Sequence, residues 1–103
     1  MSKPPDFYQR AKAEHPDLFR SYESLGAAAR QAGPLDERSV ALVKLGMSIA
    51  VGLEGASHSA TRKALAAGCT PPEIRHVALL GVTTLGFAAM RRGRVWVEDV
   101  LGK

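Results

Sequence analysis

Three polar residues at helical spacing are the strongest candidates for chemistry in this sequence. Glu54, His58 and Arg62 occupy positions i, i+4 and i+8, so a helix would line them up on a single ridge. On such a ridge Glu54 would orient His58 and stabilise its protonated form, as a general acid–base histidine requires. The spacing therefore predicts His58 and Glu54 as catalytic residues.

Two cations are candidates for holding a substrate beside His58. Lys44 lies earlier in the chain within an otherwise apolar segment, where its ammonium group would neutralise an anionic substrate. Arg62 follows His58 by one helical turn and offers a guanidinium to the same kind of group. We therefore predict Lys44 and Arg62 as substrate-binding residues for a carboxylate.

The same residues also fit a purely structural role. A Glu/His/Arg ladder is often an exposed salt-bridge face that contributes a few tenths of a kcal/mol per pair. Lys44 can likewise extend its ammonium group from an apolar stripe to water. Spacing alone leaves both interpretations open.

Metal and thiol chemistry are not expected. The sequence has three histidines far apart and one cysteine, Cys69, so it contains no HxxxH or CxxC spacing. His15 precedes a proline and His76 follows Arg75, positions typical of surface or helix-end residues. We predict no metal site and no dissociable cofactor.

Helices must position these residues, because no segment alternates between apolar and polar residues as a strand would. Thr70-Pro71-Pro72-Glu73 predicts a capping box at a helix start, and Gly68 predicts a left-handed cap after the helix before it. Asp36 is a plausible N-cap, and the long helix after it is expected to pause near Gly52 and Gly55. The predicted helices cover residues 6–14, 17–31, 37–67 with this pause, 71–85 and 88–101. Two of them carry apolar stripes at helical spacing that are expected to face the core: Leu42, Leu45, Gly46, Ile49, Ala50 and Leu53 on the third helix, and Ile74, Val77, Ala78, Gly81, Val82 and Leu85 on the helix from residue 71.

Composition indicates one folded domain spanning residues 1–103. Hydrophobic residues make up 46% of the chain and charged residues 23%, which is ordinary for a globular protein. No apolar run is long enough for a membrane helix, and residues 1–7 lack the apolar core of a signal peptide. We expect a cytoplasmic protein with no membrane partner.

The net charge of +4 does not predict nucleic-acid binding. Basic residues are scattered among acidic ones except at Arg91, Arg92 and Arg94. Nucleic-acid modules usually show a longer basic stripe with aromatic stacking partners. This trio is interpreted as a solvated face or an anion contact at a subunit edge.

Several motifs together resemble the carboxymuconolactone decarboxylase family, which includes the alkylhydroperoxidase D-like proteins. They are Leu35-Asp36-Glu37-Arg38, Lys44-Leu45-Gly46, Gly52-Leu53-Glu54-Gly55, His58, Arg62-Lys63-Ala64-Leu65-Ala66-Ala67-Gly68 and Pro72-Glu73-Ile74. The resemblance implies an all-α, alkylhydroperoxidase D-like bundle with a central helical hairpin, assembled as a trimer or hexamer. It covers a core at residues 34–101, so residues 1–33 are expected to form an N-terminal helical extension.

Only some of the family's functional residues have counterparts in this sequence. Alkylhydroperoxidase D-like members use two cysteines, a histidine and a glutamate, and these positions correspond here to Leu53, Ala56, Ala60 and Ala41. Without a thiolate, the resemblance does not imply dithiol peroxidase activity. The decarboxylase branch relies on a histidine at the position of Ala60, so His58 is the one motif histidine that remains.

Two functional hypotheses follow. In the first, the protein acts as a lyase on a small carboxylate or lactone, with His58 as acid and base. In the second, it is a non-catalytic oligomeric helical module that binds a small ligand or a partner protein. Small residues on helix faces, such as Gly46, Ala50 and Gly81, suit the second hypothesis.

Overall fold

The computed structural model describes residues 6–102, and these residues form six α-helices and no strand. The helices are α1 (Asp6–Glu14), α2 (Pro16–Gln31), α3 (Glu37–Val51), α4 (Glu54–Ala66), α5 (Pro71–Thr84) and α6 (Phe87–Leu101). The predicted all-α class is confirmed. In this part of the chain, none of the helices has the length and apolar character needed to cross a membrane.

Contacts divide the described chain into two compact units, an N-terminal unit up to Leu35 and a core unit from Asp36 onward. In the N-terminal unit, the rings of Tyr8 and Phe19 pack nearly perpendicular to each other, with 5.4 Å between centroids. Lys12 Nζ lies 2.8 Å from the Glu23 carboxylate. Neither α1 nor α2 contains a buried residue, so ring and charge contacts join these two helices.

The core unit is built from α3 to α6 around small and branched apolar side chains. Its buried apolar residues include Leu45, Ile49, Ala60, Ala64, Cys69, Ile74, Ala78 and Val97. The small side chains of Ala60 and Ala64 on α4 and of Ala78 on α5 let neighbouring helix backbones approach closely. The predicted stripes of α3 and α5 are therefore confirmed at Leu45, Ile49, Ile74 and Ala78.

Gly52 ends α3 and allows α4 to start in a new direction. Its φ of 85° lies in the left-handed region, and its N–H donates to the carbonyls of Ser48 and Ile49. The predicted pause therefore occurs at Gly52, whereas Gly55 lies inside α4. Leu53, predicted on the α3 stripe, instead precedes α4 and is exposed, because the chain has already left the α3 axis.

The predicted capping box at the start of α5 is confirmed. Thr70 Oγ1 accepts a hydrogen bond from the Glu73 amide at 3.3 Å, and the Glu73 carboxylate accepts one from the Thr70 amide at 2.8 Å. Arg38 of α3 donates to the same Glu73 carboxylate. This one carboxylate therefore caps α5 and joins it to α3.

Large apolar side chains remain exposed on the core unit. They are Val43, Met47, Val51, Leu53, Leu79, Leu80, Val82, Leu85, Phe87 and Val95. Val82 and Leu85 had been placed on the core face of α5, but that face is covered only around Ile74 and Ala78. Such a number of exposed apolar side chains is typical of a surface that another protein or subunit covers.

We expect the core unit to lose stability in acid. Hydrogen bonds from the Thr70 amide and then from Arg38 lower the pKa of Glu73, and hydrogen bonds from Arg75 and then Arg94 lower the pKa of Glu98. Folded pKa values below the ordinary 4.5 mean that this stabilisation is present above pH 4.5 and is lost as pH falls through the folded values. Thermal unfolding followed by circular dichroism should therefore show a melting temperature that drops below about pH 4.5.

Replacing Glu98 with uncharged glutamine tests whether its carboxylate contributes to this loss of stability in acid. Glu98→Gln should lower the melting temperature at neutral pH and show a smaller further drop in acid than the wild type. Glu37→Gln is the matched control, because no residue from 6 to 102 forms an ion pair with Glu37. An acid profile for Glu98→Gln that parallels the wild-type profile would contradict a role for this carboxylate.

Candidate functional site

The predicted polar ridge lies on one helix. Glu54 is the first residue of α4, and His58 and Arg62 follow it on the same helix at intervals of four residues. Glu54 is exposed, whereas His58 and Arg62 are half-buried. The three side chains therefore share one side of α4, as their spacing predicts.

A carboxylate from α6 forms the closest contact of the ridge. His58 Nε2 lies 3.0 Å from Asp99 Oδ2, and the side chains are 25% and 42% exposed. Because an ionised carboxylate only accepts hydrogen bonds, Nε2 carries the proton in this pair. In a neutral His58 the lone pair then lies on Nδ1, where the ring can accept a proton while Asp99 stabilises the imidazolium that forms.

Glu54 is the third member of this cluster. One ligand atom from each of Glu54, His58 and Asp99 lies within 4.8 Å of the other two. The hydrogen bond to the imidazole comes from Asp99, and the role of Glu54 as orienting residue stays a prediction. One imidazole nitrogen and two carboxylate oxygens are also donors that Zn²⁺ or Mn²⁺ accepts, although histidine and cysteine spacing predicted no metal site.

Asp99 meets His58 where α6 packs on α4, and α6 also packs closely on α3. Gly93, Val97 and Val100 form the buried stripe of α6, and Asp99 lies beside that stripe. A Cβ added to Gly93 would lie 2.7 Å from Ile49 Cγ2, well inside van der Waals contact. Only glycine at position 93 allows this approach of the two helices.

The predicted basic trio on α6 divides into three different environments. All three residues are exposed; Arg94 pairs with Glu98, and Arg91 has no hydrogen bond or ion pair within residues 6–102. Arg92 Nη2 donates to the Ile49 carbonyl at the end of α3, at 3.0 Å. The Arg92 guanidinium also lies over the Trp96 ring, 5.2 Å from its centroid.

Lys44, the other predicted substrate-binding residue, is exposed on α3. Its side chain forms no hydrogen bond or ion pair within residues 6–102. No contact of the described chain therefore joins Lys44 to the Glu54–His58–Asp99 cluster. Its proposed role, like that of Arg62, depends on a ligand.

The four family positions without functional side chains have mixed environments. Ala60 is buried, and Ala41 packs against the core cluster. Leu53 and Ala56 are exposed around the start of α4. None of these four side chains adds a polar group to the site.

Sequence reasoning missed Asp99 because 41 residues separate it from His58. Helical spacing identifies neighbours on one helix but not across two. The only signal was that α6 contains two carboxylates, Glu98 and Asp99, beside its buried valines. Glu98 pairs with Arg75 and Arg94, which leaves Asp99 to meet His58.

Comparison with known proteins identifies the family. The chain matches no curated protein and no solved structure. It does match the model of the carboxymuconolactone decarboxylase family over residues 16–99. That range includes α2 and so reaches further toward the N-terminus than the predicted core of residues 34–101. The match covers most of the chain, and this protein therefore belongs to the carboxymuconolactone decarboxylase family.

Proposed function

We propose that this protein is a cytoplasmic lyase that acts on a small carboxylate or lactone, with His58 as acid and base. The observation that supports the proposal most directly is the hydrogen bond between His58 Nε2 and Asp99. A carboxylate-held, half-buried imidazole beside a second carboxylate, Glu54, is suited to proton transfer. Family membership supports the choice of substrate class.

The proposed reaction needs a proton donor and acceptor but no dissociable cofactor. Loss of carbon dioxide breaks a carbon–carbon bond and leaves its electron pair on the substrate carbon. Protonated His58 then donates a proton to that carbon, and Asp99 holds the ring in place while the ring recovers a proton from water. Lys44 and Arg62 are the proposed anchors for a substrate carboxylate, and the single cysteine argues against a dithiol mechanism.

Turnover by His58 variants tests this proposal. Wild type, His58→Ala, His58→Gln and Asp99→Asn would be incubated, with chelator present, with small unsaturated carboxylates and lactones in D₂O. Proton NMR would follow substrate loss and deuterium incorporation. We expect the His58 variants to lose a factor of roughly 10²–10⁴ in rate, as for removal of a general acid–base residue.

His76→Ala is the matched control for the loss of a histidine. His76 is exposed on α5 and has no hydrogen bond within the described residues. Its variant should turn over substrates at the wild-type rate. Equal rates for His58→Ala and wild type on every substrate processed would refute the proposed role of His58.

The alternative function is a non-catalytic oligomeric module that binds a small ligand or a partner protein. The exposed apolar residues of α3 and α5 favour it, since they suit helix packing between copies. Under this alternative, ligands bind without turnover, and His58→Ala changes neither assembly nor binding. Self-association through α3, as a trimer or hexamer, is compatible with both functions, and neither involves nucleic acid or membrane.

A further inference from the structure

Arg92 differs from the other interhelical arginines of the core unit. Arg38 and Arg75 each join two helices through a glutamate carboxylate. Among residues 6–102, no carboxylate pairs with Arg92. Its positive charge is therefore not neutralised by a neighbouring acidic side chain.

Two neighbours hold the Arg92 side chain in place. Nη2 donates to the Ile49 carbonyl at 3.0 Å, and the guanidinium lies 5.2 Å from the Trp96 ring centroid. A Cβ at Gly52 would lie 3.5 Å from the guanidinium nitrogens, so Arg92 reaches the turn just before α4. The hydrogen bond to Ile49 uses one of the five N–H donors of arginine, and the others are available to an anion.

Arg92 lies on the same side of α6 as the partner of His58. Arg92, Trp96 and Asp99 are spaced i, i+4 and i+7, so they share one side of α6, next to the buried stripe. At a rise of about 1.5 Å per residue, Arg92 and Asp99 are about 10 Å apart along the helix axis. Trp96, which is half-buried, lies between them.

We propose that Arg92, held by Trp96 and the Ile49 carbonyl, is the carboxylate anchor of this site for small planar carboxylates. The ligand carboxylate pairs with the guanidinium, and its unsaturated body extends along Trp96 toward His58. Arg92 thereby adds a cation on α6 to the two, Lys44 and Arg62, that the proposed function assigns to a substrate carboxylate. The inference rests on the proposed function, because it takes the group at His58 as the reacting end of the site.

Benzoate is a suitable probe, since it combines a carboxylate with a flat ring. The chain contains one tryptophan, so its intrinsic tryptophan fluorescence and its indole N–H signal both report on Trp96. We expect benzoate to change both signals at concentrations where neutral benzamide does not. Cyclohexanecarboxylate, which keeps the charge but not the flat ring, should bind more weakly than benzoate.

Substitution of Arg92 tests the anchor directly. Arg92→Gln should weaken benzoate binding about ten-fold or more, as expected for loss of a charged hydrogen-bonding partner. Arg92→Lys should be intermediate, because it keeps the charge and loses the planar fork. Arg91→Gln is the matched control, since Arg91 is exposed like Arg92 but has no polar contact in the described chain, and this variant should bind benzoate like the wild type.

Two results would overturn the anchor. One is equal benzoate affinity in Arg92→Gln and Arg91→Gln. The other is equal wild-type affinity for benzoate and benzamide, which decides the question even if Arg92→Gln fails to fold.

Binding and turnover separate this inference from the proposed function. If benzoate binding requires Arg92 while turnover is independent of His58, the anchor stands and the acid–base role fails. If turnover requires His58 while benzoate affinity does not depend on Arg92, only the role of Arg92 as anchor is refuted.

Discussion

Gly93→Val is expected to destabilise the core unit by about 3 kcal/mol, near the upper end of the usual cost of overpacking. A Cβ at position 93 would already lie 2.7 Å from Ile49 Cγ2 and 3.1 Å from Ile49 Cδ1, and valine adds two methyl groups. Either α6 moves away from α3 or Ile49 leaves its buried position. Chemical denaturation of the full chain would measure the loss in the free energy of unfolding.

Gly55→Val is the matched control for this change. Gly55 lies in α4, and a Cβ there meets no atom within 4 Å. Valine at this position should change stability by less than about 0.5 kcal/mol, as usual for surface substitutions. Comparable losses from the two substitutions would contradict a special role for the contact between Gly93 and Ile49.

Repeating Gly93→Val in an Ile49→Ala background tests whether contact with the Ile49 side chain causes the loss of stability. Ile49→Ala removes all three atoms that the new Cβ would approach most closely. In that background Gly93→Val should cost clearly less than in the wild type, because the two residues are in direct contact. If the losses from Gly93→Val and Ile49→Ala simply add, the contact between these two residues is not the cause of the destabilisation.

Under the proposed self-association through α3, Val43→Glu is expected to weaken assembly by a factor of at least about 100, because a charge would be buried at the interface between copies. Val43, Met47 and Ala50 follow helical spacing on the exposed side of α3, opposite Leu45 and Ile49. Apolar residues repeated at intervals of three and four are typical of a helix that packs against another. Sedimentation velocity across a range of concentrations would measure the assembly.

Val95→Glu is the matched control for Val43→Glu, because the two valines are almost equally exposed, at 45% for Val43 and 46% for Val95. Val95 lies on α6, outside the α3 surface, and its variant should assemble like the wild type. A monomeric wild type, or Val43→Glu with wild-type assembly, would exclude α3 as the interface. Assembly lost only in Val95→Glu would move the interface to α6.

Local signals in the sequence predicted the helix ends well. The predicted caps are found at the predicted helix ends. Asp36 and Thr70 with Glu73 cap the starts of α3 and α5, and Gly68 adopts a left-handed conformation after α4. Such caps depend on hydrogen bonds and backbone conformations within a few residues, so their positions are readable without the fold. The bounds of α1 match the prediction, and α6 begins one residue earlier than predicted, at Phe87.

The exposure of apolar residues was less predictable. Leu53 and Val82 fit the periodicity of a buried stripe, yet both are exposed. Periodicity shows that residues share one side of a helix but does not show how far a neighbouring helix covers that side. Coverage depends on where the facing helix begins and ends.

By itself, the sequence determined the helical segments, the caps at their ends and the alignment of Glu54, His58 and Arg62 on one side of one helix. All of these follow from interactions over a few residues. Only the tertiary structure decided that Asp99 contacts His58 and that Arg92 reaches the end of α3 beside Gly52. Those contacts join residues about 40 positions apart, and they depend on how closely α6 packs on α3 and α4, which the absence of a side chain at Gly93 permits.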